Sequence, residues 1–224
     1  MLQGLDGLSD DTLVRWITDS LTVGSHRIGH GVQGLALLYE DPQHRLVIKA
    51  PAGRGVRRWL ATILLRHEAR VYERLRDFPA APRYYGLIDG RYLVLEYVDG
   101  ELARYADIAD RDAFFAELLS QILALHARGI AHSDLQKKDN LFVTRSGRPC
   151  LLDFGAAVVR RPGFAPINHL HFRIARRLDL NQWVKLKYRG QLDQVTAEDA
   201  QYYRRTWLER LARHIKRLYR KPRR

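Results

Sequence analysis

Several residues of this chain are of types, and at spacings, that could do chemistry on phosphates. Gly29-His-Gly31-Val-Gln-Gly34 matches G-x-G-x-x-G. A run with strand character, Leu35 to Tyr39, follows these glycines where a dinucleotide site needs a helix. What remains is a glycine-rich hairpin whose backbone can come close to phosphates. Fifteen residues past Gly34 the strand-like Leu46-Val-Ile ends in Lys49, and Glu68 comes nineteen residues later. Farther on, the helix-like Gln121-Ile-Leu-Ala-Leu-His126-Ala-Arg-Gly129 runs towards His132-Ser-Asp134, and Asp153-Phe-Gly155 follows a short hairpin pattern. Alone, each piece has an ordinary structural reading: a turn, a surface lysine, a capped loop. In this order and at these separations they read together.

The elements that must position these residues follow from local pattern. Ser9 before Asp10 and Asp11 predicts a helix start, with Leu13, Trp16 and Ile17 on its apolar side. From His26 the pattern becomes strand, glycine turn and strand, with Leu35 to Tyr39 before Asp41-Pro42 and Leu46 to Ala50 after it, a small antiparallel sheet. Arg57 to Leu75 reads as a helix, and Tyr92 to Val98 as a buried strand stopped by an Asp99-Gly100 turn. Ala113 to Ala127 is an apolar helix; Leu141 to Val143 and Cys150 to Leu152 are short strands around Ser146-Gly147. Beyond Pro166 the chain reads as helical, ending in a long basic helix from Ala197 to about Arg220. In that helix Tyr203, Trp207, Leu211, Ile215 and Leu218 form an apolar stripe among arginines and lysines. The expected fold is α+β in two lobes: a helical extension over 1–24, a small sheet-bearing lobe over 25–98 and a mostly helical lobe over 99–224.

Composition bounds the rest. The chain has 224 residues, 46% of them apolar and 28% charged, which suits one domain or two packed lobes. Its apolar runs fall far short of the ~20 residues of a membrane span. The acidic amino terminus lacks the order of a signal peptide, and a single cysteine, Cys150, excludes an internal disulfide, so a cytoplasmic location is expected. The first 155 residues carry 20 Lys/Arg and 20 Asp/Glu, whereas residues 156–224 carry 18 against 5, the whole net charge of +13. That asymmetry points the last third at an anionic partner.

From the glycine loop through Asp153-Phe-Gly155, roughly residues 25 to 155, the chain resembles the protein-kinase-like superfamily, and Leu95-Glu96-Tyr97-Val98 is similar to its hinge. The resemblance implies ATP and Mg2+ as cofactors and phosphoryl transfer to a hydroxyl. It implies a nucleotide site at Gly29, Gly31, Gly34, Ala36, Val47, Lys49 and Glu68, with the backbone of Glu96 and Val98 holding the adenine. Lys49, held by Glu68, would bind the α- and β-phosphates, Asp153 would hold magnesium, and Asp134 would take the hydroxyl proton. His126 and His132 read as structural; His169-Leu-His171 has no carboxylate or cysteine near it in sequence and is not read as a metal site.

The departures from the family are informative. An asparagine is expected five residues after the catalytic aspartate, but Asp139 stands there and Asn140 follows. The thirteen residues from Asn140 to Asp153 match the family, so Asn140 is the expected second metal ligand, with Asp139 as its rival. Gln136 replaces an expected lysine, leaving Lys137 or Lys138 for the γ-phosphate. Ala36 and Val47 exchange the usual sizes at the adenine roof and keep the summed volume. Ser133 replaces an arginine, no A-P-E follows, and no Ser, Thr or Tyr occurs from Asp153 to Gln182, so switching by loop phosphorylation is not expected. With 69 residues after Gly155, the reduced second lobe resembles the small atypical bacterial kinases of lipopolysaccharide core sugars, Kdo or heptose. The expected acceptor is therefore a core sugar or anionic glycolipid, with peripheral contact at the inner membrane face. A compact Ser/Thr protein kinase is the alternative; a pseudokinase or a basic nucleic-acid module stands behind both, since the neutral first 155 residues argue against nucleic acid.

Overall fold

A computed structural model describes residues 2–204 except 3, 6, 32, 33 and 138, and except the side chain of His30. Helix α1 (Asp10–Val23) starts as expected, with the Ser9 hydroxyl accepting from the Thr12 N–H at 3.1 Å. A five-stranded antiparallel sheet follows, made of β1 (Arg27–Gly31), β2 (Gly34–Glu40), β3 (Arg45–Ala50), β4 (Tyr84–Ile88) and β5 (Tyr92–Glu96) in the order β1-β2-β3-β5-β4. Between β3 and β4 runs helix α2 (Val56–Arg74).

Register decides what each face of this sheet does. Strand period two places Leu46, Ile48 and Ala50 on one face and Val47 and Lys49 on the other. The first face joins Leu37, Ile88, Tyr92 and Val94 with Leu13 and Ile17 of α1 in one core, each large side chain contributing ~1.5–3 kcal/mol. On the opposite face Ala36 pairs with Lys49 and Leu38 with Val47, and Val47 pairs in turn with Leu95 of β5. Because α1 occupies one face, the other is left to carry the predicted nucleotide residues.

Strands β6 (Gly100–Leu102), β8 (Leu141–Thr144) and β9 (Pro149–Leu151) form a second sheet, and a 3-10 turn, Phe154–Ala156, follows it. Strands β7 (Ile130–Ala131) and β10 (Val158–Val159) form a two-residue antiparallel pair. The helices are completed by α3 (Arg111–Ala127), α4 (Pro166–Lys187) and α5 (Ala197–Ala200). The architecture is the α+β, reduced kinase-like fold anticipated from the motifs. Two compact units result: one of Met1–Ile108 with Lys138–Ala157, the other of Ala109–Lys137 with the chain from Val158. This grouping is discontinuous in the chain. Within the first unit β9 bonds back to the earlier segment, Leu151 N–H donating to Ala80 O at 2.7 Å. Among the described residues no helix is long and apolar enough to cross a membrane.

Two local expectations are corrected. Asp99-Gly100 is not a simple stop, because Gly100 opens β6 opposite Thr144. A Cβ there would lie 2.2 Å from the Val143 carbonyl oxygen, so the close approach of β8 requires glycine. The helix expected from Ala197 ends at Ala200, and the chain turns through Tyr202 and Tyr203. There Arg204 is pinned to α4, its N–H donating to Asn181 Oδ1 and its carbonyl accepting from Asn181 Nδ2, both at 2.9 Å. The predicted continuation with Trp207, Leu211, Ile215 and Leu218 lies outside the described residues.

Cys150 of β9 is buried, and burial, aided by the charge of Glu96, pushes its thiol up to about 12. We expect no reaction of the folded protein with a thiol reagent at pH 8 and one equivalent of label after unfolding in denaturant. Rapid labelling of the folded state, followed by absorbance, would show that β9 is not seated as described.

Candidate active site

In the first unit three predicted residues meet. Lys49 Nζ donates to Glu68 Oε1 at 2.6 Å and to Asp153 Oδ1 at 3.2 Å. The Glu68 side chain is fully buried, while those of Lys49 and Asp153 keep 20% and 32% exposure. Burial pushes the Glu68 carboxyl up against the pull of the Lys49 ammonium, and Asp153 adds to the rise. Burial also disfavours the Lys49 ammonium, but Glu68 and Asp153 outweigh it and hold the lysine above its ordinary value. A buried carboxylate of this kind is tolerated only with a partner in hydrogen-bond contact.

Local structure explains how the three converge. Lys49 points to α2 because its β3 neighbours Ile48 and Ala50 take the core side. Phe154, fully buried, packs edge-on against Tyr72 of α2 with ring centroids 5.2 Å apart. That contact anchors the turn carrying Asp153, whose φ of 62° is left-handed for a non-glycine residue. Such backbone costs ~1–3 kcal/mol and persists only where the surroundings impose it. Asn140 is buried and its carbonyl accepts from the Leu152 N–H at 2.9 Å. Asp139 is exposed, with its carboxylate paired to Arg104 at 2.8 Å.

The remaining predicted nucleotide residues lie on the same sheet. Gly29 and Gly31 are in β1, and Gly31 stands opposite Gly34. A Cβ on Gly34 would sit 2.0 Å from the Ala50 carbonyl oxygen, at a φ of 154°, so sheet packing demands this glycine whatever it binds. Ala36 and Val47 are half-buried on the Lys49 face. The exposed side chain of Glu96 accepts from the Arg83 N–H at 2.9 Å, and Val98 is half-buried just beyond β5.

In the second unit Lys137 Nζ lies 2.7 Å from Asp134 Oδ2. Lys138, its rival, lies outside the described residues. The loop holding Asp134 is organised by a residue the motifs did not disclose, Asp179 of α4. Its Oδ2 accepts from His126 Nε2 at 3.0 Å and from the His132 N–H at 2.8 Å; its Oδ1 accepts from the Ser133 N–H at 2.8 Å. Asp179, His126 and His132 are buried and Ser133 is half-buried, with a left-handed φ of 67°. His132 Nδ1 accepts from the Asp134 N–H at 3.3 Å, so both histidines serve the loop's shape. A signal for Asp179 was present: Phe172, Ala175, Asp179 and Trp183, at helical spacing, are all buried, an acid on an apolar stripe. Trp183 fastens that stripe by donating to the Phe115 carbonyl at 2.7 Å.

No family model matches the chain. Over part of its length it is similar to protein kinases. It is 31% identical over 163 residues to calcium-dependent protein kinase 9 of Oryza sativa subsp. japonica, covering 66% of this chain and 28% of that protein. It is 28% identical over 149 residues to sperm motility kinase 2B of Mus musculus, covering 61% and 29%. It is 33% identical over 114 residues to the rice CBL-interacting protein kinase 25, covering 44% and 22%. The chain thus spans less than a third of the length of each of these three relatives.

Asp179→Ala strands three donors, two of them buried and one half-buried, each buried one worth ~1–3 kcal/mol when left unsatisfied. We expect a loss of ~3 kcal/mol or more in urea unfolding, with Asp179→Asn milder because its amide oxygen can still accept. A change below ~1 kcal/mol for the alanine variant would mean the loop is held by something else.

Proposed function

We propose that the chain is an ATP-dependent phosphotransferase that moves the γ-phosphate of ATP to a hydroxyl of an anionic, sugar-bearing glycolipid of the lipopolysaccharide-core type. The observation that carries the phosphotransfer reading is the Lys49–Glu68–Asp153 cluster, supported by the partial similarity to protein kinases. Two carboxylates against one ammonium leave net negative charge in a half-buried place, which suits a cation bound beside the lysine. The donor set also fits magnesium: the Asp153 carboxylate and the Asn140 amide oxygen are hard oxygen ligands. Bound there, the ion would neutralise charge building on the phosphate oxygens.

The chain's own residues then have separate tasks. Lys49, aimed by Glu68, holds the α- and β-phosphates as a point charge. Backbone of the glycine hairpin from Gly29 to Gly34 covers the phosphates, Ala36 and Val47 pack on the adenine, and the backbone of Glu96 and Val98 bonds its edge. Asp134 takes the proton of the acceptor hydroxyl as its oxygen attacks the γ-phosphorus and ADP leaves with the broken bond's electrons. Lys137, already beside Asp134, supplies positive charge for the arriving phosphoryl group. Asn140 is preferred over Asp139 as the second ligand because Asp139 is engaged by Arg104 on the surface.

A sugar acceptor is supported by the second unit. Only the 3-10 turn, β10 and a short loop separate Asp153 from α4, and Ser133 leaves no arginine to read a phosphorylated segment. The alternative of a Ser/Thr protein acceptor is favoured by one observation, that the relatives named above are themselves protein kinases. Labelled ATP offered with core oligosaccharide and, separately, with cell lysate distinguishes them: label in the sugar supports the first reading, label only in proteins the second.

Asp134→Asn is expected to keep ATP affinity and to lower turnover by ~10²-fold or more; turnover within threefold of wild type would remove Asp134 as the base. Asn140→Ala is expected to raise the magnesium requirement for turnover more than Asp139→Ala does, and the reverse ranking would give the ligand role to Asp139. Lys49→Ala is expected to weaken ATP binding in calorimetry, and wild-type affinity that ignores magnesium would defeat the metal-bridged picture.

A further inference from the structure

Helix α4 has two apolar stripes, and among the described residues of the second unit only one of them is packed inward. Phe172, Ala175 and Trp183 face inward around Asp179. The second stripe, Ile167, Leu170, Ile174 and Leu178, follows spacings of three, four and four; it faces solvent most fully at its amino-terminal end, and Ile174 and Leu178 are 38% and 37% exposed. Ile167 is 84% exposed, and Phe164, immediately before the helix, is 97% exposed. An exposed apolar strip of this length is uncommon and marks an interaction surface.

Charge selects the partner. From Phe154 to Leu178 the sequence contains no aspartate or glutamate, yet it has Arg160, Arg161, Arg173, Arg176 and Arg177, all exposed. Arg173 and Arg177 run along one edge of the exposed stripe by helical geometry. The first acid after this stretch, Asp179, is buried and already accepts three hydrogen bonds, so it offers the surface no counter-charge. A nucleic acid would meet the arginines and leave the isoleucines, leucines and phenylalanine uncovered. An interfacial amphipathic helix has both features at once, apolar side chains for the acyl boundary and arginines for anionic headgroups.

We propose that Phe164 and the exposed face of α4 dock on an anionic phospholipid surface, with Phe164 and Ile167 entering the acyl boundary and Arg173 and Arg177 at the headgroups. The surface is independent of ATP and of Asp134, so it stands or falls separately from the phosphotransfer reading. It also locates membrane contact in a part of the basic third other than the expected carboxy-terminal helix.

The test is sedimentation of the full chain with vesicles of phosphatidylcholine plus phosphatidylglycerol, and of phosphatidylcholine alone, without nucleotide. Wild type is expected to prefer the anionic vesicles, and the preference is expected to fade as salt shortens the Debye length from ~10 Å to ~3 Å. The double variant Phe164→Ser, Ile167→Ser is expected to partition ~10-fold or more weakly to anionic vesicles, since two exposed apolar anchors are lost. Arg173→Gln with Arg177→Gln is expected to reduce the anionic preference while leaving the far-ultraviolet spectrum and melting temperature of the protein unchanged. Equal binding of wild type and the serine variant would overturn the proposal. So would absence of vesicle binding together with a concentration-dependent dimer that the serine variant abolishes, which would assign the face to a second copy of the chain.

Discussion

The pairing of Lys49 with Glu68 is the interaction on which the first unit depends. Glu68 has no exposure to solvent, and a carboxylate in that position would be several kcal/mol too costly without an ammonium in contact. Satisfying it fixes the rotation of α2 against β3 and therefore which α2 side chains line that face. It also fixes the turn after β9, because Phe154 packs on Tyr72 of the same helix and Asp153 reaches the same lysine. One lysine, through two ion pairs, thus ties together a strand, a helix and a turn that are up to 104 residues apart in the chain.

The second unit uses the same device with different chemistry. Asp179 is buried at the centre of α4 and is compensated by donors from the loop that carries Asp134. A single acceptor therefore holds Ser133 in its left-handed conformation and sets the backbone around the proposed base. Each unit places an acid inside its core, and the hydrogen bonds that acid accepts fix the position of a residue proposed for the site, Lys49 in the first and the backbone before Asp134 in the second. Polar groups buried this way specify geometry more strictly than apolar packing does, since a shifted loop would leave them unsatisfied.

The glycines show why a motif and a function are different kinds of statement. Gly34 completes the loop pattern, but its lack of a side chain is required by the Ala50 carbonyl whether or not a phosphate ever binds. Gly100 reads as punctuation in sequence and is a strand residue beneath β8 in the structure. The weight of the phosphotransfer reading therefore rests on charged groups brought into contact, Lys49 with Glu68 and Asp153, rather than on the glycine spacing.

Most of the fold was legible in the sequence because its elements are signalled locally. Ser9 capped α1, the period-two runs became β2 and β3, and the apolar run before Ala127 became α3. The spacings of Lys49, Glu68, Asp134 and Asp153 were legible too, since family resemblance preserves separations along the chain. What the sequence could not disclose were relations made at long range: that Asp139 is diverted to Arg104 while Asn140 is buried, and that Lys137 sits on Asp134. The role of Asp179 belongs with these, as does the end of α5 at Ala200, where Arg204 bonds to Asn181 rather than continuing a helix. Local propensity is a property of neighbours in sequence, whereas satisfying a buried charge or a free backbone group depends on what the fold brings alongside it. Capping residues and hydrophobic period therefore announce the helices and the longer strands, whereas which charged groups meet is set by packing between segments far apart in the chain.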